Sequence, residues 1–239
     1  TSGSSLGATL KSIDDATTGV VDGTSLGMIN SATVAQAKQL LVTGNGTAFT
    51  HSATVAVELT DLSANAADLN QINASTTGLI STSLTSLSGT ASDVKLALEA
   101  ITLGTQMSAS SLNAVTLTTD ISSADLNNVV FNNNTTINLA NITGNFLVLT
   151  DGTVGAGKTL TIDGSTTAST VVIDARAESD GNVILIGGPG VSTFYGSQGA
   201  DTMTGGADRD EFIFYASNRS TLAAMDTITD FSATTGANA

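Results

Sequence analysis

Apolar residues recur every three to four positions in several short segments of the first 130 residues, with polar residues between them. This spacing gives a helix one apolar face, and a Ser, Thr or Asp at its start can accept the free backbone N–H groups of the first turn. We therefore expect short helices within residues 1–130. The strongest candidates are TVAQAKQLL at 33–41 and TASDVKLALEAI at 90–101, and weaker ones lie at 66–72, 111–118 and 123–130.

Two stretches of the same region resemble each other, LKSIDDATTGVVDGTSL at 10–26 and LNQINASTTGLISTSL at 69–84. Each precedes one of the two strongest helix candidates. A single unit of this kind buries too little apolar surface to be stable alone, whereas stacked units share a continuous core. The repeat therefore predicts a solenoid with short helices at 1–130.

From about residue 131 the helical spacing fades and short runs of β-branched residues take over. Turns rich in Gly, Asn, Asp, Ser and Thr separate the runs, which is typical of a coiled β-solenoid or of a β-sandwich. We favour parallel β-solenoid coils at 131–177, because a segment with a fixed period follows them. The predicted strands are TTINL at 135–139, FLVLTD at 146–151, KTLTID at 158–163, TVVIDA at 170–175 and NVILIG at 182–187.

Composition narrows the kind of core that these elements can share. The 239 residues include no Trp and one Pro, and only 4% are aromatic. Large side chains cannot fill a wide interior, so we expect a thin one built from Val, Ile, Leu and small residues. The mean hydropathy of +0.23 argues against disorder, because disordered chains are poor in apolar residues.

The charge of the chain changes the list of possible partners. With 21 carboxylates against seven Lys and Arg, the formal net charge is −14. Nucleic acid is a poor partner because its phosphates need basic residues, so metal cations are favoured. No run of about 18 apolar residues is present, which predicts no membrane span. The first residues lack the features of a secretory signal peptide, so an export signal lies elsewhere or the chain is part of a longer protein.

GTVGAGKT at 152–159 fits the pattern of a nucleotide-binding phosphate loop. Such a loop needs a strand before it and a helix after it, so that the helix N-terminus meets the phosphate. The following KTLTIDGSTT alternates apolar and polar residues and shows no helical spacing. We therefore predict that a strand begins at Lys158 and that this segment binds no nucleotide.

A period of nine residues begins at Glu178. It gives ESDGNVILI, GGPGVSTFY, GSQGADTMT and GGADRDEFI, with Leu185, Phe194, Met203 and Phe212 at the large apolar position. The last three resemble the nonapeptide G-G-x-G-x-D-x-U-x of the hemolysin-type calcium-binding repeats of secreted RTX proteins. This resemblance implies tight turns and three-residue strands, wound right-handedly into a calcium-binding β-roll at 178–239.

The resemblance also implies a set of calcium ligands, in which each turn faces the turn two repeats later. Gly187 and Pro189 would face Gly206, Asp208 and Asp210. Asp180 would face Gly199 and Asp201. A further calcium site would be formed by Gly196, Gln198 and Asp201 against the turn near 214–219. The site after it would be formed by Gly205, Ala207 and Asp210. Asp226 and Asp230 would be late ligands or cap residues.

The residue types suit this chemistry. Glycine permits the positive φ angles of tight turns, and calcium is a hard ion that takes about six to eight oxygen ligands. Stacked carboxylates would repel without a cation, so calcium binding and folding should be one event. The pattern departs from the family at three positions, where Ser192 replaces Asp, Ser197 replaces Gly and Asp208 replaces Gly.

The remaining chemically capable residues favour no enzyme. His51 is the only histidine and has no nearby acidic cluster in sequence, so we expect it in an exposed loop or at a coil edge. Asp14 with Asp15, and Asp61 with Asp68, are better explained as helix caps than as general acids and bases. A polysaccharide lyase would gather acidic residues together with Lys or Arg in one groove, whereas the seven basic residues here are scattered.

The predicted fold is thus mainly β: a right-handed parallel β-solenoid with short helices in its N-terminal coils and a calcium-binding β-roll at its C-terminal end. The predicted function is that of an extracellular, calcium-dependent structural protein of a bacterial surface layer or adhesin. The resemblance implies type I secretion through a C-terminal signal. Possible partners are calcium ions, further copies in a surface lattice, or a cell-surface glycan. The alternative is the non-catalytic RTX part of a secreted hydrolase.

Overall fold

The computed structural model describes residues 4–44, 48–104, 106–122, 125–126, 128–141, 143–215 and 220–231. The chain divides into two compact units, Thr1–Thr118 and Thr119–Ala239. The N-terminal unit contains helices as well as strands, and the C-terminal unit is built from strands and turns in its described part. None of the described helices is long and apolar enough to cross a membrane.

Three helices, which begin at residues 34, 66 and 91, form where the sequence places an apolar stripe behind a polar cap. Thr33 accepts a hydrogen bond from the backbone N–H of Gln36, and Thr90 accepts one from that of Asp93. The helices predicted near residues 33, 66 and 90 are therefore confirmed. The helical segments are α1 (Gly7–Ala16), α2 (Val34–Lys38), a π-helical turn (Gln39–Thr43), α3 (Ala66–Ser75) and α4 (Ala91–Leu103).

Ten strands complete the N-terminal unit, and their described pairings are all parallel. The order β1-β3-β5-β7-β9 makes one sheet, β6-β8-β10 lie side by side, and β2 pairs with β4. Parallel neighbours need long crossover connections, which the helices and loops supply. The strands are β1 (Ser4–Leu6), β2 (Val21–Gly23), β3 (Met28–Ala32), β4 (Phe49–His51), β5 (Ala56–Leu59), β6 (Ser63–Asn65), β7 (Ile80–Thr82), β8 (Ser86–Gly89), β9 (Met107–Ala109) and β10 (Ala114–Leu117).

One weaker helix prediction is wrong. Residues 111–118 contain β10, in which Val115 and Leu117 are buried while Thr116 between them is exposed. This alternation is the pattern of a half-buried strand, and β10 pairs with β8 in register. The other weak candidate, at 123–130, falls partly outside the described residues.

The C-terminal unit consists of short strands that alternate between two parallel sheets. β11, β13, β15, β17 and β19 lie side by side, as do β12, β14, β16 and β18. All five strands predicted between residues 135 and 187 are confirmed. The strands are β11 (Thr135–Asn138), β12 (Asn145–Val148), β13 (Thr159–Asp163), β14 (Val171–Asp174), β15 (Asn182–Ile186), β16 (Ser192–Tyr195), β17 (Thr202–Thr204), β18 (Glu211–Ile213) and β19 (Thr227–Ile228).

The segment that resembles a phosphate loop leads into a strand and not into a helix. Gly152 and Gly157 adopt positive φ angles of 79° and 67° in consecutive turns, and β13 begins at Thr159. The prediction of a strand from Lys158 onward is therefore confirmed to within one residue. A helix N-terminus, which phosphate binding needs, is not formed at this place.

The large apolar residues of the nonapeptides fill the interior of the C-terminal unit. Leu185, Phe194 and Met203 are completely buried. Leu185 pairs with Met203, and Phe194 pairs with Phe212, so that strands two nonapeptides apart are neighbours. The rings of Phe194 and Phe212 lie 6.1 Å apart. The expectation of a mainly β chain with parallel strands is confirmed.

Candidate metal centre

The turns of the nonapeptides stack on the turns two repeats away. The backbone N–H of Gly187 donates to the carbonyl of Thr204 at 2.8 Å, and that of Ala207 donates to the carbonyl of Gly188 at 3.1 Å. The backbone N–H of Gln198 donates to the carbonyl of Glu178 at 3.1 Å. The turns that the resemblance pairs around Gly187 and Ala207 are thus adjacent.

In three nonapeptides the side chain at the sixth position folds over the glycine at the first. An added Cβ on Gly205 would lie 2.3 Å from Oδ2 of Asp210, and one on Gly196 would lie 2.9 Å from Oδ2 of Asp201. Only glycine leaves room for these carboxylates. The pairs are Gly187 with Ser192, Gly196 with Asp201, and Gly205 with Asp210.

Asp201 is the most deeply buried of the aspartates that were predicted as ligands, with 1% of its surface exposed. Its Oδ1 accepts a hydrogen bond from the backbone N–H of Val183 at 3.0 Å, and its Oδ2 accepts one from that of Ser197 at 2.6 Å. The Ser197 hydroxyl also donates to Oδ1 at 2.7 Å. Asp201 therefore joins its own turn to the neighbouring strand.

Asp226 lies directly beside Asp201. Its Oδ1 accepts a hydrogen bond from the backbone N–H of Asp201 at 3.0 Å, while its Oδ2 is buried and has no hydrogen-bond partner. Burial raises the pKa of Asp201, the hydrogen bonds from Val183 and Ser197 oppose this, and the charge of Asp226 adds to it. Burial also raises the pKa of Asp226. The carboxylates of Asp201 and Asp226 thus share one site, which offers too little positive charge to neutralise them.

A second pair of aspartates lies around Gly205. Asp210 accepts a hydrogen bond from the backbone N–H of Ser192 at 2.8 Å. The two carboxylate oxygens of Asp230 accept hydrogen bonds from the backbone N–H groups of Gly205, at 3.1 Å, and Gly206, at 2.8 Å. Gly206 has a φ of 118°, which favours glycine. Both carboxylates face the turn to which the sequence assigns calcium ligands.

The carboxylate of Asp180 lies within 4.8 Å of those of Asp151 and Glu178, an acidic group that the resemblance does not indicate. The turn of Asp180 also lies beside that of Gly199 and Asp201, because the backbone N–H of Gln198 donates to the carbonyl of Glu178. Glu178 is completely buried and accepts hydrogen bonds from four backbone N–H groups, which belong to Val154, Ser179, Asp180 and Gly181. The Ser179 hydroxyl donates to Asp151 at 2.7 Å.

Sequence reasoning missed Asp151 and Glu178. The available signals were weak: Asp151 ends a predicted strand, and Glu178 opens the first nonapeptide frame. They meet because their two turns lie against each other, as the hydrogen bonds from Val154 to Glu178 and from Ser179 to Asp151 show.

The remaining predicted ligands lie on the surface of the turns. Gly199 stands against Asn182, whose Oδ1 would lie 2.4 Å from an added Cβ. Of the turn near 214–219, which was predicted to face Gly196 and Gln198, residues 216–219 lie outside the described residues. The exposed residues among them are Pro189, Gln198, Ala207 and Asp208.

The interpretation of the acidic pairs as helix caps fails for one of the two pairs. Asp14 and Asp15 lie in the last turn of α1 and cannot cap its N-terminus, so that interpretation is wrong for them. Asp61 accepts a hydrogen bond from the backbone N–H of Val34, which is the first residue of α2, and Asp68 pairs with Lys38 at 2.5 Å.

His51 lies at the end of β4 and is half-buried. Its ring nitrogens lie 2.9 Å from the carbonyl of Ser52 and 3.3 Å from that of Leu41. These contacts tie the histidine to the backbone and place it at a strand edge.

The donor set around Asp201, Asp226, Asp210 and Asp230 suits a hard cation. All of its side-chain ligand atoms are carboxylate oxygens, and a carboxylate offers about four acceptor sites. The oxygens that accept backbone hydrogen bonds therefore keep capacity for a metal, and Oδ2 of Asp226 has no other partner. Comparison of the chain with protein families, with curated proteins and with solved structures finds no match.

Proposed function

We propose that this chain is a structural segment of a secreted bacterial surface protein, of the surface-layer or adhesin kind, whose coils are locked by calcium. Its parallel strands would follow one another as the coils of a right-handed solenoid. The alternation of successive strands between two sheets supports this winding, because right-handed crossovers are the rule for parallel strands. The scarcity of basic residues and the acidic turns support a partner that is a cation.

The observation that carries the calcium proposal is the pair formed by Asp201 and Asp226. A buried carboxylate without a counter-charge is costly, and Oδ2 of Asp226 has no hydrogen-bond donor. Calcium held by Asp201 and Asp226 would supply positive charge between two successive coils. Asp210 and Asp230 would hold a second ion at the next turn, and Asp180 a third with its acidic neighbours.

Calcium would also decide where the fold reaches its full stability. Little of it is free in the cytoplasm and much is present outside the cell, so coils that bind the ion would be least stable before export. This accords with secretion as an unfolded chain, which the nonapeptide resemblance implies. The folded coils would then serve as a scaffold in a lattice or bind a cell-surface glycan.

The replacement Asp226→Asn tests this proposal, because its effect should change sign with calcium. In excess chelator at pH 7 we expect the melting temperature to rise by about 1–2 °C, because the amide removes a charge beside Asp201. In saturating calcium the same variant should show less than about half of the calcium-induced rise of the natural chain, since one ligand is lost. Differential scanning calorimetry measures both.

The pH dependence in chelator gives a further check on this variant. Because the pKa of Asp226 in the folded chain is raised above its ordinary value of 3.8, the ionised carboxylate weakens the fold at neutral pH. This cost disappears as the pH falls through the raised pKa toward 3.8, and the advantage of the variant should disappear with it. Glu211→Gln, which removes one exposed charge from the same region, is the matched control. An equal calcium response in Asp226→Asn and in the natural chain would contradict the assignment.

A further inference from the structure

The helical side of the N-terminal unit contains an open cleft of about 510 Å³. Its walls come from the last turn of α1, from α2 with the π-helical turn that follows it, and from the first turn of α3. The polar side chains that line it are those of Asp14, Lys38, Gln39, Thr43 and Asp68. None of them has a role in the calcium proposal, which concerns the C-terminal unit.

Asp14 is the chemically unusual member of this cleft. Only 7% of its surface is exposed. Its Oδ2 accepts one long hydrogen bond, from Nε2 of Gln39 at 3.3 Å, and its Oδ1 is buried without any hydrogen-bond partner. Buried polar atoms are almost always paired, and a buried carboxylate needs a counter-charge or several donors. The described residues of the cleft provide neither for Oδ1.

The lysines of this unit do not neutralise Asp14, because each pairs with another carboxylate. The ion pairs are Lys11 with Asp15, Lys38 with Asp68, and Lys95 with Glu99. The Lys38 ammonium is 2.5 Å from Oδ1 of Asp68. The cleft therefore carries one negative charge, that of Asp14, which no described cationic side chain offsets.

The backbone that borders the cleft is itself irregular. Gln39–Thr43 is wound as a π-helix, and the backbone N–H of Gly44 closes it by donating to the carbonyl of Gln39 at 2.7 Å. Such turns are rare and occur often at functional sites. Here the wide turn brings the Gln39 amide between Asp14 and Asp15, to which it donates at 3.3 and 3.0 Å. The amide donates to Oδ2 of Asp14 and leaves Oδ1 without a donor in the wall of the cleft.

We propose that this cleft binds a small polar molecule through a primary ammonium group, which donates to Oδ1 of Asp14. The ammonium would supply both the missing charge and the missing hydrogen bonds. The rest of the ligand would lie among Lys38, Thr43 and Asp68, which offer donors and acceptors to hydroxyl groups. An amino sugar has this chemistry. A divalent metal fits less well, since it needs about six oxygens and the Lys38 ammonium lines the same cleft.

Glucosamine and N-acetylglucosamine form a matched pair of probes, because acetylation removes the positive charge and keeps the sugar ring. The full-length ¹⁵N-labelled chain is titrated with each sugar, and backbone amide signals are followed by NMR. Glucosamine should shift the signals of Gln39 and Thr43 in a saturable way, and N-acetylglucosamine should bind at least about tenfold more weakly. Equal binding of the two sugars, or no saturable shift with glucosamine, would overturn the proposal.

The variant Asp14→Asn keeps the shape of the side chain and should weaken glucosamine binding at least about tenfold. Asp22→Asn removes an exposed charge from β2 of the same unit, outside the cleft, and should change the affinity by less than about threefold. Unchanged binding by Asp14→Asn would overturn the proposal. A calcium titration that shifts the same amide signals and displaces glucosamine would also overturn the proposal, because the cleft would then be a metal site. The sugar comparison uses the natural chain and stands even if a variant does not fold.

Discussion

Replacing Phe194 with alanine is expected to lower the free energy of unfolding by about 3–5 kcal/mol. Phe194 is completely buried, pairs with Ile173 on one side and Phe212 on the other, and has its ring 6.1 Å from that of Phe212. Only 4% of the chain is aromatic, so few large side chains are available to fill the space. Urea denaturation followed by circular dichroism measures the loss.

Phe146 provides the matched control for this experiment. It lies on β12 in the same sheet, but 53% of its surface is exposed. Phe146→Ala should therefore cost about 1 kcal/mol or less. If both variants lost the same stability, the inward position of the nonapeptide residues would be wrong.

The second large effect is expected from Glu178→Ala, which should cost at least about 3 kcal/mol. The carboxylate of Glu178 is completely buried and accepts hydrogen bonds from four backbone N–H groups of two stacked turns. Alanine would leave these donors without a partner and remove the link to Val154. Urea denaturation in excess chelator measures this effect apart from any bound metal.

The exposed neighbour Asp180 serves as the control for Glu178. In chelator, Asp180→Ala should change the free energy of unfolding by less than about 0.5 kcal/mol, since an exposed carboxylate contributes little. A small loss in Glu178→Ala would show that the four hydrogen bonds do not hold the turns together.

The sequence predicted the elements with strong local signals. The strands between residues 135 and 187 are β-branched, short and separated by turn residues, and the helix at residue 90 begins with a Thr cap. The strand Ala114–Leu117 was mistaken for a helix because so short an apolar run fits both periods, and its pairing with Ser86–Gly89 decides the outcome. The helix α1 was missed because its N-cap, Leu6, provides no side-chain hydrogen bond.

The candidate site was predictable only in part. The period of nine indicated that Asp201 and Asp210 lie in stacked turns. It did not indicate which backbone groups they would bind, because that depends on which strand or turn lies beside each aspartate. The cluster of Glu178 with Asp151 could not be predicted for the same reason, since its members come from different turns. The cleft around Asp14 could not be predicted because its walls come from helices that are far apart in sequence.

Thermal melting of the natural chain in excess chelator, in calcium and in magnesium tests the calcium-locked coil most directly. At calcium concentrations about 100-fold above its dissociation constant, one site should stabilise the fold by about 2.7 kcal/mol, or at least about 5 °C in melting temperature. Magnesium should give a much smaller rise, because it demands a tighter octahedral site. Identical melting curves in chelator and in calcium, or an equal effect of magnesium, would contradict the account.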